Sequence, residues 1–157
     1  MNTSVESLTH KMQRAAVSKM VDVLFSHMEN DREKAQQMLL ASVEKNEYRL
    51  VTGFVGTGLI LRSLTDAGGA QSAYRLLLSE KNPSWLYSVD QGATTIWEHW
   101  DGMKDDGSMW SADMNSFNHY AYGSVADWVY QKAAGIHTAE DAPGYAFIRF
   151  APVPDAR

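Results

Sequence analysis

The sequence predicts a mostly helical chain, its helices paired into hairpins, with a single β-strand near the C-terminus. Three observations carry that expectation. Apolar residues recur at helical spacing through much of residues 17–79 and again after residue 116. The segment from Phe54 to Leu64 is nearly all apolar, as suits a helix that other helices cover on most sides. Only Tyr145-Ala146-Phe147-Ile148-Arg149-Phe150 has the composition of a strand, closed by Pro152 and Pro154.

Taken in order, Val17, Met20, Val21, Leu24 and Met28 place a first helix up to about residue 28. Asn30 followed by Glu33 reads as a capping box for a second, with Ala35, Met38, Leu39, Ser42 and Val43 on its inward face. In the third, Gly53, Gly56 and Gly58 are spaced wrongly for a dinucleotide loop and read as close helix packing. A fourth helix runs from about Ala70 to Ser79 with Tyr74, Leu77 and Leu78 inward, before Asn82-Pro83 breaks the chain. Residues 101–115, rich in Gly, Asp and Ser, form a loop. The last helix starts near Ser116, with Asn115 or Ser116 as its cap, and ends at Gly135. The terminal strand then has no partner.

At 157 residues, 45% of them apolar and 21% charged, the chain can bury a core and is not a disordered segment. A net charge of −5 without a basic stripe argues against nucleic acid as a partner. No apolar run is long enough to cross a bilayer, so no membrane role is expected. Cysteine is absent and Met1–Glu6 has no signal-peptide character, which makes a cytoplasmic location the expectation.

Five Trp and seven Tyr are a surplus, and all but Tyr48 and Tyr74 cluster between Trp85 and Tyr145. They interleave with polar groups in two runs, Gln91-Gly92-Ala93-Thr94-Thr95-Ile96-Trp97-Glu98-His99-Trp100-Asp101 and Asn115-Ser116-Phe117-Asn118-His119-Tyr120-Ala121-Tyr122-Gly123. Taken alone, such rings more often belong to a core. Yet a carboxylate, an imidazole and amides beside indole faces are also the chemistry of a sugar pocket. Glu98, His99, Asp101 and His119 do not have the spacing of a metal site, and neither a metal nor a cofactor is expected.

These two runs, the Thr52-Gly53-Phe54-Val55-Gly56-Thr57 and Asn82-Pro83-Ser84-Trp85-Leu86-Tyr87 elements, Ala134-Gly135-Ile136 and Pro143-Gly144-Tyr145 resemble the C-terminal part of the catalytic domain of bacterial α-L-rhamnosidases, glycoside hydrolase family 78. The resemblance covers roughly residues 24–153. It implies an (α/α)6 toroid, of which five or six helices would lie here, within residues 1–140. Residues 141–157 would begin a C-terminal β-sandwich module. A fragment truncated at both ends is thus expected, marginally stable or self-associating through uncovered helix faces.

The same resemblance implies hydrolysis of terminal α-L-rhamnosyl groups with inversion. Glu98 then corresponds to the general base, while no residue matches the general acid. His119 corresponds to a substrate-binding residue, set in the first turn of its helix where a neutral ring is favoured. Asn118 joins it as a candidate. Trp85 and Trp100 are preferred over Trp97 as sugar platforms, because a helix through residues 94–101 would turn Trp97 and Glu98 about 100° apart. Asp101, Asp105 and Asp106 read as solvated loop carboxylates, and His99 stands where the family more often has Arg. The alternatives are a non-catalytic carbohydrate-binding module or a helical interaction module.

Overall fold

The computed structural model describes residues 32–156 other than 114, 140 and 143. The expected first helix and the Asn30 cap lie outside the described residues. Leu39–Arg157 forms one compact unit. Its elements are helical except for a short sheet.

Helix α1 (Arg32–Lys45) presents Leu39, Leu40 and Val43 to the core. Met38 and Ser42, expected inward, are exposed. The packed stripe is therefore narrower than the sequence pattern suggested and is displaced toward Leu40. Helices α2 (Phe54–Asp66) and α3 (Ala70–Leu77) form a tight hairpin. Thr57, Leu61 and Leu64 from α2 meet Ala73 and Leu76 from α3 in the buried centre. Gly58 brings α2 so near Ser124 that a methyl group there would lie 3.1 Å from its hydroxyl, the close packing expected of it, whereas a methyl at Gly53 would meet nothing and one at Gly56 only the nearby Thr52.

Two expectations for this hairpin need correction. Helix α2 is not covered on most sides: Val55 is 52% exposed and Leu59 47%. Its apolar composition exceeds what this chain buries. In α3 Ala73 and Leu76 are buried and Tyr74 and Leu77 pack against the core as expected, while Leu78 lies beyond the helix and is exposed. The side chains on one face must follow the 3.6-residue repeat set by Ala73, and Leu78 falls off that stripe.

Ser84 caps a helix that periodicity did not reveal, α4 (Trp85–Asp90), by accepting the Tyr87 N–H at 3.0 Å. Six residues are too few to display a repeat. The late helix is also shorter than expected. It begins as a 3-10 turn at Tyr120–Ser124, becomes α5 (Val125–Trp128) and ends in a π turn at Val129–Ala133. Residues 116–119 are withdrawn from it by pairing: Glu98 N–H donates to Ser116 O at 2.8 Å, and His119 N–H donates to Ile96 O at 2.8 Å. Tyr120 and Tyr130 are exposed. Gly135 ends the run with φ +66, the left-handed geometry expected of a C′ glycine.

The terminal strand is not alone. Strand β2 (Ile148–Phe150) pairs antiparallel with β1 (Ile136–Thr138), with Ile136 opposite Phe150 and Thr138 opposite Ile148. Three residues directly after a helix end carry too little alternation to announce a strand. The tail continues along the helices, where Tyr74 Oη donates to Val153 O at 2.7 Å and Val153 N–H to Lys132 O at 3.0 Å. Among the described residues no helix is long and apolar enough to cross a membrane.

Candidate functional site

Residues 93–100 are not helical, so the 100° separation of Trp97 and Glu98 does not apply. The segment runs beside 115–119, and side chains close the pairing that the backbone begins. The Glu98 carboxylate, partly buried, accepts the Ser116 N–H at 3.1 Å, while the Glu98 N–H returns a bond to Ser116 O. One residue thus grips Ser116 at both its backbone donor and its acceptor. Thr95 Oγ1 donates to Phe117 O, and the Trp97 ring meets Phe117 edge-on at 5.0 Å. Among the described residues Glu98 makes no ion pair with Lys or Arg.

His119 sits one position before the 3-10 turn and is its N-cap, the place assigned from sequence to Asn115 or Ser116. Its Nδ1 accepts the Ala121 N–H at 3.4 Å. Phe54 stacks on its ring at 4.9 Å and Tyr120 lies parallel to it at 5.8 Å. Asn118 is exposed, and its N–H donates to Ser116 Oγ at 3.3 Å.

Trp85, Trp97 and Trp100 are all buried, at 8%, 7% and 7% exposure. Trp100 stacks on Tyr122 at 3.8 Å and meets Trp85 edge-on at 5.4 Å. Trp85 Nε1 donates to Tyr122 O at 2.9 Å, and Ser88 Oγ donates to Trp100 O at 2.7 Å. These rings are core, and what remains open of them lines an apolar cleft of about 70 Å³ with Thr95 and Ile96. Trp97, less favoured from sequence, lines that cleft equally. Glu98 and His119 are not among the residues that line it.

The loop 101–113 is more ordered than its composition implies. Met103 bridges Met109, and Trp110 N–H donates to Gly102 O at 3.1 Å, making a small finger. Each aspartate expected to be solvated has a structural partner. Asp101 Oδ1 meets His99 Nδ1 at 2.5 Å, and the His99 ring stacks on Trp110 at 3.7 Å. Asp105 accepts from Tyr87 Oη at 3.0 Å and Gln91 Nε2 at 2.9 Å. Asp106 accepts from the Ser108 N–H and hydroxyl, which hold its carboxyl below the usual range. Among the described residues no group of three His, Asp or Glu side chains is gathered as for a metal ion. Sequence reasoning missed the Ser116 grip on Glu98 and the Tyr87 and Gln91 bonds to Asp105, because both join residues distant in the chain.

A family model described as bacterial alpha-L-rhamnosidase 6 hairpin glycosidase domain matches residues 3–133. The match begins well before residue 24, where the motifs alone placed it, and stops short of 153. The α-L-rhamnosidase of Streptomyces avermitilis is 48% identical over 118 residues, 75% of this chain. That of Formosa agariphila is 41% identical over 128 residues, 82% of this chain. Among solved structures, the S. avermitilis enzyme complexed with L-rhamnose superposes with a TM-score of 0.73 at 46% identity over 79% of this chain. The Aspergillus terreus enzyme gives 0.75 at 37% identity over 81%. The chain spans only 11% and 14% of the two sequence relatives, and 12% and 14% of the two structures.

Proposed function

The chain belongs to the bacterial α-L-rhamnosidase six-hairpin glycosidase family, and on that footing we propose that it supplies the base-bearing wall of an inverting hydrolase of terminal α-L-rhamnosides. Glu98 is the general base. Inversion needs a water activated on one face of the sugar while an acid, roughly 6.5–9.5 Å from the base, protonates the leaving group on the other. The observation that carries this reading is the hold on Glu98. A carboxylate that grips a backbone amide, partly buried and without a cationic partner among the described residues, is aimed rather than free to swing. The cost of such preorganisation is met by the fold, not at the moment of reaction.

His119 and Asn118 hold sugar hydroxyls in this scheme. The cleft bounded by Trp85, Trp97 and Trp100 takes the methyl group at C6 of rhamnose, whose apolar surface suits an apolar lining. The acid comes from outside these 157 residues. Asp101, Asp105 and Asp106 are engaged in holding the finger, which favours sugar binding without turnover for this chain by itself.

Two measurements test the proposal together: binding of L-rhamnose by calorimetry, and hydrolysis of p-nitrophenyl α-L-rhamnoside. The expected result is rhamnose binding, weakened in His119→Ala, with no turnover. Turnover that disappears in Glu98→Gln would instead place a complete catalytic pair within the chain. A folded chain that neither binds nor hydrolyses would sink the reading.

A further inference from the structure

Tyr120 stands apart from the other rings of its motif. It is 86% exposed, whereas Tyr122, two residues on, is 7% exposed. The cause is local: the 3-10 turn that starts at Tyr120 sends Tyr122 into the core against Trp100 and leaves Tyr120 outward. Its ring is nevertheless not splayed at random, since it lies within 3° of parallel to His119, which Phe54 covers from elsewhere.

The same turn fixes the chemistry of His119. A backbone N–H points at Nδ1, so Nδ1 must offer its lone pair, and the proton of a neutral ring sits on Nε2. His119 is thereby left with a donor at Nε2 and no lone pair there to accept a hydroxyl proton. The bond from its own N–H to Ile96 O fixes the backbone beneath it, one residue from the Trp97–Glu98 pair.

We propose that Tyr120 is a further sugar-contacting residue, its exposed ring face bearing the C–H face of the rhamnose while His119 Nε2–H donates to a ring hydroxyl oxygen. This rests on the function proposed above, and it adds one residue and one direction of hydrogen bonding to it. Ring stacking of this kind would change affinity for the sugar without changing the fold, because Tyr120 buries little in the free protein.

Imidazole long-range ¹H–¹⁵N spectra of the 157-residue chain at about pH 8, where an ordinary imidazole is neutral, test the first half. The Nε2–H pattern is expected for His119; an Nδ1–H pattern overturns it. Titration with L-rhamnose tests the second half, following the resonances of Glu98, His119 and Tyr120. Tyr120→Ala is expected to weaken binding about tenfold and Tyr120→Phe to restore most of it, since the ring rather than the hydroxyl is at work. Shifts at Glu98 and His119 with none at Tyr120, or equal affinities for Tyr120→Ala and the parent, overturn this proposal and leave the parent reading standing. Rhamnose that perturbs none of the three overturns both.

Discussion

The α2–α3 hairpin and the segment 93–119 are both packed, yet they are held by different means. In the hairpin each helix satisfies its own backbone, and its buried centre is apolar, with Leu61 and Leu64 in one cluster with Ala73 and Leu76. Segment 93–119 has no helix to do this. Its backbone groups find partners far along the chain, as Glu98 does with Ser116, His119 with Ile96 and Ser88 with Trp100 O. Rings then fill the space that a regular element would have filled. The contrast teaches where a dense polar and aromatic site can be built. A helix returns to one face once per turn, while irregular backbone sets Thr95, Trp97 and Trp100 around one cleft with Glu98 next to them in the chain, so that structure and candidate site depend on the same segment.

The sharpest way to break that comparison is to empty each core in turn. Trp100→Ala removes a ring stacked on Tyr122 and edge-on to Trp85, and a loss of about 3–5 kcal/mol in urea unfolding is expected. Leu64→Ala, fully buried in the hairpin, should cost about 3 kcal/mol. The two should part in ligand titrations on the protein that remains folded: rhamnose affinity falls in Trp100→Ala and persists in Leu64→Ala. A Trp100→Ala protein that keeps its affinity would undo the claim that site and core coincide.

A smaller effect bears on the joint between the regions. Ser84 caps α4, which carries Trp85 and Ser88 to the site, and Ser84→Ala should cost about 1 kcal/mol by denaturant midpoint. The smallest effect is confined to alkaline solution. The Tyr87 phenol is pushed up to about 12, first by burial and then by its hydrogen bond to Asp105. A raised pKa gives stability that is complete below the unfolded value near 10 and is lost as pH rises toward about 12. Tyr87→Phe should therefore flatten the fall in unfolding midpoint over that window and change little at neutral pH.

The same contrast explains what could be read from the sequence. Helices α2 and α3 were legible because the 3.6-residue repeat is a local signal, and so was the Gly135 terminus. Helix α4 and strand β1 were not, being six and three residues long. The late helix was overextended to Ser116 because nothing local reveals that 116–119 is claimed by a segment some twenty residues earlier. Glu98 and His119 were singled out through motif resemblance, whereas the groups they touch, Ser116 and Phe54, are neighbours only in space. Asp105 was read as solvated for the same reason, since Tyr87 and Gln91 are out of sight of it along the chain, whereas the partners of Asp101 and Asp106 lie two residues away.

Gly135 carries one more consequence. It accepts the Ala151 N–H through its carbonyl, at 2.8 Å, where the tail crosses back over the helix end. A carbon placed on its α-position would overlap the Ala151 carbonyl and the Pro152 nitrogen. With φ at +66 the backbone also disfavours any larger residue. Position 135 is therefore a one-letter alphabet. Any other letter there asks the stretch from Ala151 onward to find another path, and so the missing side chain decides whether the tail can cross the end of the late helix.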